Sequence, residues 1–356
     1  MGRRIRLYKM KCNWFNNHIS LDSIGTVRPC CAWRATGDEP QVYELINYKN
    51  SDFYNKIKEQ FNNDIWPTGC KDCELEEEEG QSSMRLETKL RDAEVKFGNV
   101  CNLSCAMCSP TNSSLIDTEY SQMRDKGYTH PLINRTASVF NKWYEDDKQL
   151  DQVAQFLSDR QLIRFTGGEP TVNTYLQNFL DCLSRYNTSI IIYITTNGNN
   201  WPSRLNEVLE RFDRKKISIS LDGYGDINEY IRYPSKWNKI QDNITKIKEL
   251  NNCSISVGTT VGCYNVHLQT ELAEWCVSNN FNQVFNPVWG PEILQPCHAS
   301  DIAKNKFIEL SQWYEPARRI LPSINMQGLG LTPAIEFFTL LDKHRNTDIG
   351  VLQLHE

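Results

Sequence analysis

Cys101, Cys105 and Cys108 stand at C-x3-C-x2-C spacing inside Phe97-Gly98-Asn99-Val100-Cys101-Asn102-Leu103-Ser104-Cys105-Ala106-Met107-Cys108. Thiols this close together on one loop can face a common centre. Thiolates are soft ligands that select zinc or iron-sulfur centres, and a three-thiol set leaves one metal position open for an exogenous molecule. An open position points to catalysis, because structural sites are normally closed. A zinc site whose fourth ligand lies elsewhere has the same spacing.

Further polar turns recur along the chain. Phe165-Thr166-Gly167-Gly168-Glu169-Pro170 offers glycines that let backbone approach a ligand, and a carboxylate that can accept from an ammonium. Thr195-Thr196-Asn197-Gly198 is a second polar turn, and Ser218-Ile219-Ser220-Leu221-Asp222-Gly223 a third, with Ser220 and Asp222 able to bond ribose hydroxyls. Each alone is an ordinary turn.

The elements that must position these turns alternate from about residue 93. Short runs rich in Ile, Val, Phe and Thr at 93–98, 162–166, 189–195, 216–221, 254–261 and 283–287 predict strands. Helical spacing fills the intervals at 151–157, 175–185, 204–212, 237–250 and 268–277. The crossover after Cys108 is the longest and holds Pro131, so more than one element is expected there. This alternation predicts a parallel α/β sheet or barrel, with the chemistry-bearing turns at the C-terminal strand ends, where a β/α barrel keeps its active site.

Residues 1–92 read differently. Ile19 to Leu21 and Thr26 to Arg28 flank the turn Asp22-Ser23-Ile24-Gly25, and one amphipathic helix is expected near Phe53 to Phe61. Cys12, Cys30, Cys31, Cys70 and Cys73 make this a small metal-stapled module with four separated thiols and a spare. Glu74 to Glu79 reads as a solvated acidic helix start. Beyond residue 298 helices are expected at 302–314 and 333–341. The expected domains are therefore 1–92, 93–297 and 298–356.

Composition narrows the classes. The 356-residue chain is 40% hydrophobic and 23% charged, with 18 Gly and 14 Pro, which excludes disordered and collagen-like readings. Its net charge of −5 argues against coating nucleic acid, while leaving room for a local basic groove. Met1 to Arg6 is charged with no apolar run after it, and no stretch approaches the roughly 18 apolar residues of a membrane span. A cytoplasmic protein with no membrane partner is expected. The 13 cysteines are odd in number, which with the absent signal peptide disfavours a disulfide framework. Cys182, Cys253, Cys263 and Cys276 sit in apolar stretches as small core residues, and Cys297, beside His298, carries no assignment. Trp14, Trp33, Trp66 and Trp289 read as packing residues.

Together these motifs resemble the radical S-adenosylmethionine superfamily, Cys101, Cys105 and Cys108 matching its three-cysteine motif and Gly167 to Pro170 its GGEP motif, over roughly residues 93–290. The resemblance implies a partial, six-stranded (β/α)6 barrel of TIM type, with the Cys-rich module before it and a helical extension after it. It implies a 4Fe-4S cluster on Cys101, Cys105 and Cys108 whose unique iron is chelated by S-adenosylmethionine. Reductive cleavage then gives a 5′-deoxyadenosyl radical that abstracts a substrate hydrogen, with a low-potential electron donor as partner. Residue by residue, Glu169 receives the methionine ammonium between Gly167 and Gly168, and Ser220 and Asp222 meet the ribose or the methionine carboxylate. Arg232 resembles an arginine that pairs with that carboxylate, although a surface helix arginine has the same local sequence. Asn197, with Thr260 and Asn265, falls where the family places nucleoside contacts. Met107 stands where the family often has an aromatic residue near adenine, a space that a thioether fills.

The hairpin ending in Pro29-Cys30-Cys31, followed by Cys70-Lys71-Asp72-Cys73, resembles the SPASM/twitch auxiliary-cluster domain. That implies a second 4Fe-4S cluster on Cys12, Cys30, Cys70 and Cys73, with Cys31 as the alternative to Cys30. It departs from the family pattern in preceding the barrel. Four thiolates serve zinc equally. The expected function is a radical S-adenosylmethionine oxidoreductase or transferase acting on a peptide or protein. The alternatives are a small molecule or nucleotide as substrate, or a non-catalytic iron-sulfur or zinc module.

Overall fold

The structure, a computed structural model, describes residues 10–78, 82–87 and 90–354. The readings of Met1 to Arg6 and of Glu79 fall outside the described residues. Eight strands form one sheet: β1 (His18–Leu21), β2 (Val27–Arg28), β3 (Asp92–Lys96), β4 (Leu162–Thr166), β5 (Ile191–Thr196), β6 (Arg214–Ser220), β7 (Cys253–Val261) and β8 (Asn282–Pro287), in the order β2-β1-β3-β4-β5-β6-β7-β8. β1 and β2 are antiparallel and every other neighbouring pair is parallel.

All six strands expected from residue 93 onward are present, β4 with both ends as expected and the others with ends shifted by at most two residues. β3 stops at Lys96 because Gly98, at φ +70°, turns the chain away. β6 begins two residues earlier than its apolar run, because the ladder recruits Arg214 and Lys215 whatever their side chains prefer. The N-terminal hairpin is closed by Asp22, whose carboxylate accepts from the N–H groups of Ile24 and Thr26 at 3.1 and 3.0 Å. What the sequence did not announce is where that hairpin goes: β1 pairs in parallel with β3 and extends the barrel sheet.

Alternation along the strands sends one set of side chains outward. Ala93, Val95, Phe97, Ile163, Phe165, Ile192, Ile194, Ile217 and Ile219 join the apolar faces of the crossover helices, such as Val153, Leu157, Leu176, Leu180 and Ile240, in one buried cluster. A second cluster collects Ala106 and Ile116 beside the cysteine loop, Tyr264 and Phe285 at the last strands, and Phe307, Phe337 and Phe338 from the helices Asp301–Trp313 and Thr332–Arg345. The C-terminal helices are thereby packed onto the cysteine-bearing end of the sheet. Among the described residues no helix is long and apolar enough to cross a membrane.

Candidate active site

The cysteine loop leaves β3 through Gly98 and is tied down at each turn. The Asn99 side chain donates to the Pro110 carbonyl at 2.8 Å, closing the base of the loop. Ser113 caps the helix Ser114–Asp125 and also donates to the Leu103 carbonyl at 2.6 Å. From across the sheet, the Ser104 N–H donates to Tyr233 O at 2.6 Å and the Ala106 N–H to Ile231 O at 2.9 Å. Arg345 donates to the Ser104 carbonyl at 2.7 Å.

The glycine turn packs directly on this loop. Gly168 lies at φ +54°, and a Cβ there would sit 2.3 Å from the Val100 carbonyl oxygen, so only glycine fits. The next N–H, that of Glu169, donates to the same oxygen at 2.8 Å. The Glu169 carboxylate is 2% exposed. One oxygen accepts from the Thr171 N–H and hydroxyl and the Thr196 hydroxyl at 3.1, 2.7 and 2.8 Å; among the described residues the other accepts only the Asn197 N–H, at 2.6 Å. A carboxylate oxygen has room for another donor, so the group is oriented with unused capacity. Burial raises its pKa above the ordinary carboxylate range, and those donors offset part of the rise.

A cavity of about 290 Å³ lies between these loops, comparable with small-molecule sites. It is lined by Cys101, Cys105, Cys108, Met107, Gly167, Gly168, Glu169, Asn197, Ser220, Arg232 and Thr260. Leu103, Asn112, Thr166, Thr195 and Thr196 complete the wall. Burial pushes the Cys101 thiol up to about 11 and raises Cys105 and Cys108 as well, while Arg232 pulls the latter two back.

Two expected contacts are placed differently. Asp222 does not line the cavity: it is fully buried, and its carboxylate grips Arg232 through contacts of 2.7 and 3.0 Å and accepts the Thr260 N–H at 2.8 Å. Its partner Arg232 is 9% exposed, which excludes a surface helix arginine, and the pairing holds its guanidinium protonated against the cost of burial. Asn265 is likewise buried behind the wall, its amide donating to the carbonyls of Asp222 and Thr260. Sequence reasoning missed Thr171, although it follows the glycine-rich turn directly, and Arg345, for which no local signal exists.

In the N-terminal region Cys12, Cys30 and Cys70 border one small apolar cavity with Phe15, Trp33 and Phe61. Cys73 is buried one helical turn beyond Cys70, whereas Cys31 is exposed. Gly69 lets the Trp33 ring lie on the Cys70 turn, since a Cβ there would be 2.2 Å from the indole. Burial pushes Cys70 up to about 12 and Cys30 well above its ordinary value, with the neighbouring cysteines adding to both. The acidic helix is Lys71–Glu78, and its Glu77 is not simply solvated: it pairs with Arg85. Among the described residues no three His, Cys, Asp or Glu side chains are drawn together around a single ion point.

Three thiols of the loop that follows β3 share one cavity with a buried carboxylate and a buried guanidinium at the carboxyl end of a mostly parallel α/β sheet. The chain belongs to the Radical SAM superfamily, a family of enzymes whose model matches residues 95–275. No curated protein matches the chain. Among solved structures, anSMEcpe with bound AdoMet is 15% identical, with 66% of this chain and 60% of that one covered and a TM-score of 0.44. Streptococcus suis SuiB bound to S-adenosylmethionine is also 15% identical, with 78% and 60% covered and a TM-score of 0.44. The methyltransferase TsrM from Kitasatospora setae, with cobalamin and a [4Fe-4S] cluster bound, is 9% identical, with 54% and 36% covered and a TM-score of 0.37. The chain thus spans about 60% of the length of anSMEcpe and of SuiB.

Proposed function

We propose that this chain is a radical S-adenosylmethionine enzyme that modifies a peptide or protein, with Cys101, Cys105 and Cys108 holding its 4Fe-4S cluster. The observation that carries the reading is the shared cavity: the three thiols, Glu169 and Arg232 all border it. The donor set fits the group, soft thiolates for iron, a carboxylate for the ammonium and a guanidinium for the carboxylate of S-adenosylmethionine. When bound, cluster and S-adenosylmethionine supply one-electron reduction, carbon–sulfur cleavage and hydrogen abstraction.

The protein's own part is positioning. Thr171, Thr196 and the Asn197 N–H fix Glu169 so that its less occupied oxygen receives the ammonium. Asp222 acts behind Arg232, holding the guanidinium in place. Gly167 and Gly168 would let backbone approach the bound cofactor, Asn197, Ser220 and Thr260 would offer polar contacts to its nucleoside, and Met107, on the same wall, would supply an apolar contact for the base.

In the same reading residues 1–92 form an auxiliary module, 93–297 the barrel and 298–356 an extension, and Cys12, Cys30, Cys70 and Cys73 hold a second 4Fe-4S cluster. The apolar cavity around Cys12, Cys30 and Cys70 supports it and favours Cys30 over the exposed Cys31. The peptide substrate follows from the likeness of this module to auxiliary domains of peptide-modifying relatives. Iron and 5′-deoxyadenosine are to be measured after anaerobic reconstitution, in wild type and in the Cys101→Ala/Cys105→Ala/Cys108→Ala variant. About eight iron atoms falling to about four, with loss of 5′-deoxyadenosine, is expected. No iron and no 5′-deoxyadenosine in the wild type refutes the reading.

A further inference from the structure

The sheet face opposite the crossover helices carries charges that lie outside the cavity lining. Ser20, Glu94, Arg164, Tyr193 and Lys216 are consecutive register partners across β1, β3, β4, β5 and β6. In a closed β/α barrel such a layer is filled by branched apolar side chains. Here Lys216 is exposed and Arg164 and Tyr193 are half-buried, so water reaches the layer. Arg214, two residues below Lys216 on the same face, is exposed as well.

The acids nearby are already engaged. Glu94 accepts from Thr166 at 2.8 Å and Ser20 at 3.1 Å and lies 3.6 Å from the Lys96 ammonium. Asp92, one row lower, is 2.6 Å from His18. Among the described residues no carboxylate lies within ion-pair distance of Arg164, Lys216 or Arg214, in a chain whose net charge is −5. The Arg164 guanidinium stacks 4.4 Å from the Tyr193 ring centroid, which fixes its plane and leaves its N–H edge for a planar, bidentate acceptor. The layer also adjoins the site. Arg164 and Tyr193 lie two residues below Thr166 and Thr195 of the cavity wall, about 7 Å along the strands.

We infer that Arg164 and Lys216, with Arg214 at the outer rim, are a recognition subsite for a carboxylate side chain of an acidic peptide substrate, an inference that rests on the enzyme reading above. Glu94, the register neighbour of Arg164, tempers the local field and favours a singly charged carboxylate over a doubly charged phosphate. An acidic side chain held there leaves a neighbouring peptide residue within reach of the cavity.

The test uses anaerobically prepared holoenzyme and saturation-transfer NMR with two peptides, Gly-Glu-Glu-Glu-Gly amide and Gly-Gln-Gln-Gln-Gly amide. Wild type should bind the acidic peptide at least about tenfold more tightly than the amide peptide. Arg164→Gln/Lys216→Gln should abolish that preference and Arg164→Lys should retain part of it, while 5′-deoxyadenosine formed from S-adenosylmethionine and dithionite alone stays at the wild-type level. No binding, equal binding of the two peptides, or a preference that survives the double substitution overturns the inference. Binding of inorganic phosphate in place of the acidic peptide also overturns it. If the acidic peptide binds as expected but no variant or wild type forms 5′-deoxyadenosine, it is the enzyme reading that falls.

Discussion

Arg345 and Ser104, 241 residues apart, are joined by a hydrogen bond of 2.7 Å from the guanidinium to the carbonyl between the first two cysteines of the loop. The same guanidinium holds both oxygens of Glu119 at 2.7 Å, and both side chains are more than nine-tenths buried. The C-terminal helix therefore reaches the cysteine loop through one charged staple. Arg345→Ala leaves the Glu119 carboxylate buried without its partner, at a cost of about 3 kcal/mol. Urea unfolding should register that loss, and bound iron should leave the loop faster under chelation. Removing both charges with Glu119→Leu/Arg345→Met should recover most of the stability but not the slow iron loss.

Gly168 and Gly37 separate backbone strain from steric conflict. Both have positive φ, but a Cβ at Gly37 meets nothing within 4 Å, whereas one at Gly168 meets the Val100 oxygen at 2.3 Å. Gly37→Ala should cost about 1 kcal/mol and leave iron content unchanged. Gly168→Ala must push the cysteine loop aside, and metal analysis should show most of the loop-bound iron gone.

Glu169→Gln replaces an oxygen that receives N–H and O–H donors with an amide that also donates. With about 2 kcal/mol lost at a charged hydrogen bond, S-adenosylmethionine should bind roughly thirtyfold more weakly. Iron content should stay at the wild-type value, since no thiol changes. Equilibrium dialysis against S-adenosylmethionine checks this, and unchanged affinity would remove Glu169 from the ammonium site.

Glu94 sets a pH dependence. Burial alone would raise its pKa, but Lys96, the Thr166 hydroxyl, His18 and Ser20 outweigh burial and hold it below the ordinary value. A depressed carboxylate stabilises the fold above its unfolded pKa and loses that contribution as pH falls through the folded value. Metal-free Glu94→Gln protein should therefore be less stable than wild type near neutral pH, with the gap closing below about pH 4.5. A gap independent of pH would mean that packing, not charge, explains it.

The strands and the cavity-lining turns were legible because their signals are local. Gly167 to Pro170 and the three cysteines are each confined to a span of a few residues, and β4 starts and stops as its apolar run does. The pairing of Arg232 with Asp222 was not legible: a short acidic residue at a strand end reads as a ligand contact, and only burial reveals that Asp222 faces the arginine. Arg345 and the pairing of β1 with β3 were illegible for one reason. Their partners lie 226 and 74 residues away, and periodicity carries no information at that range. The basic layer of the barrel was hidden differently, since Arg164, Tyr193 and Lys216 come together only when three strands are set in register.

The ladder between β1 and β3 joins what the cysteine count divides. β3 delivers the chain to Cys101, and β1 follows the helix that Cys12 caps, so the two thiol groups are wired to adjacent strands of one sheet. Opening at either group must fray the same ladder before it can spread. The two halves should consequently melt as a single cooperative unit, with amide exchange at Ala93 and Val95 slowing whenever the N-terminal thiols are ligated. Cutting the chain before β3 would not release a free-standing catalytic core: it would strip the covering strand from β3 and expose an edge ready to pair with another molecule.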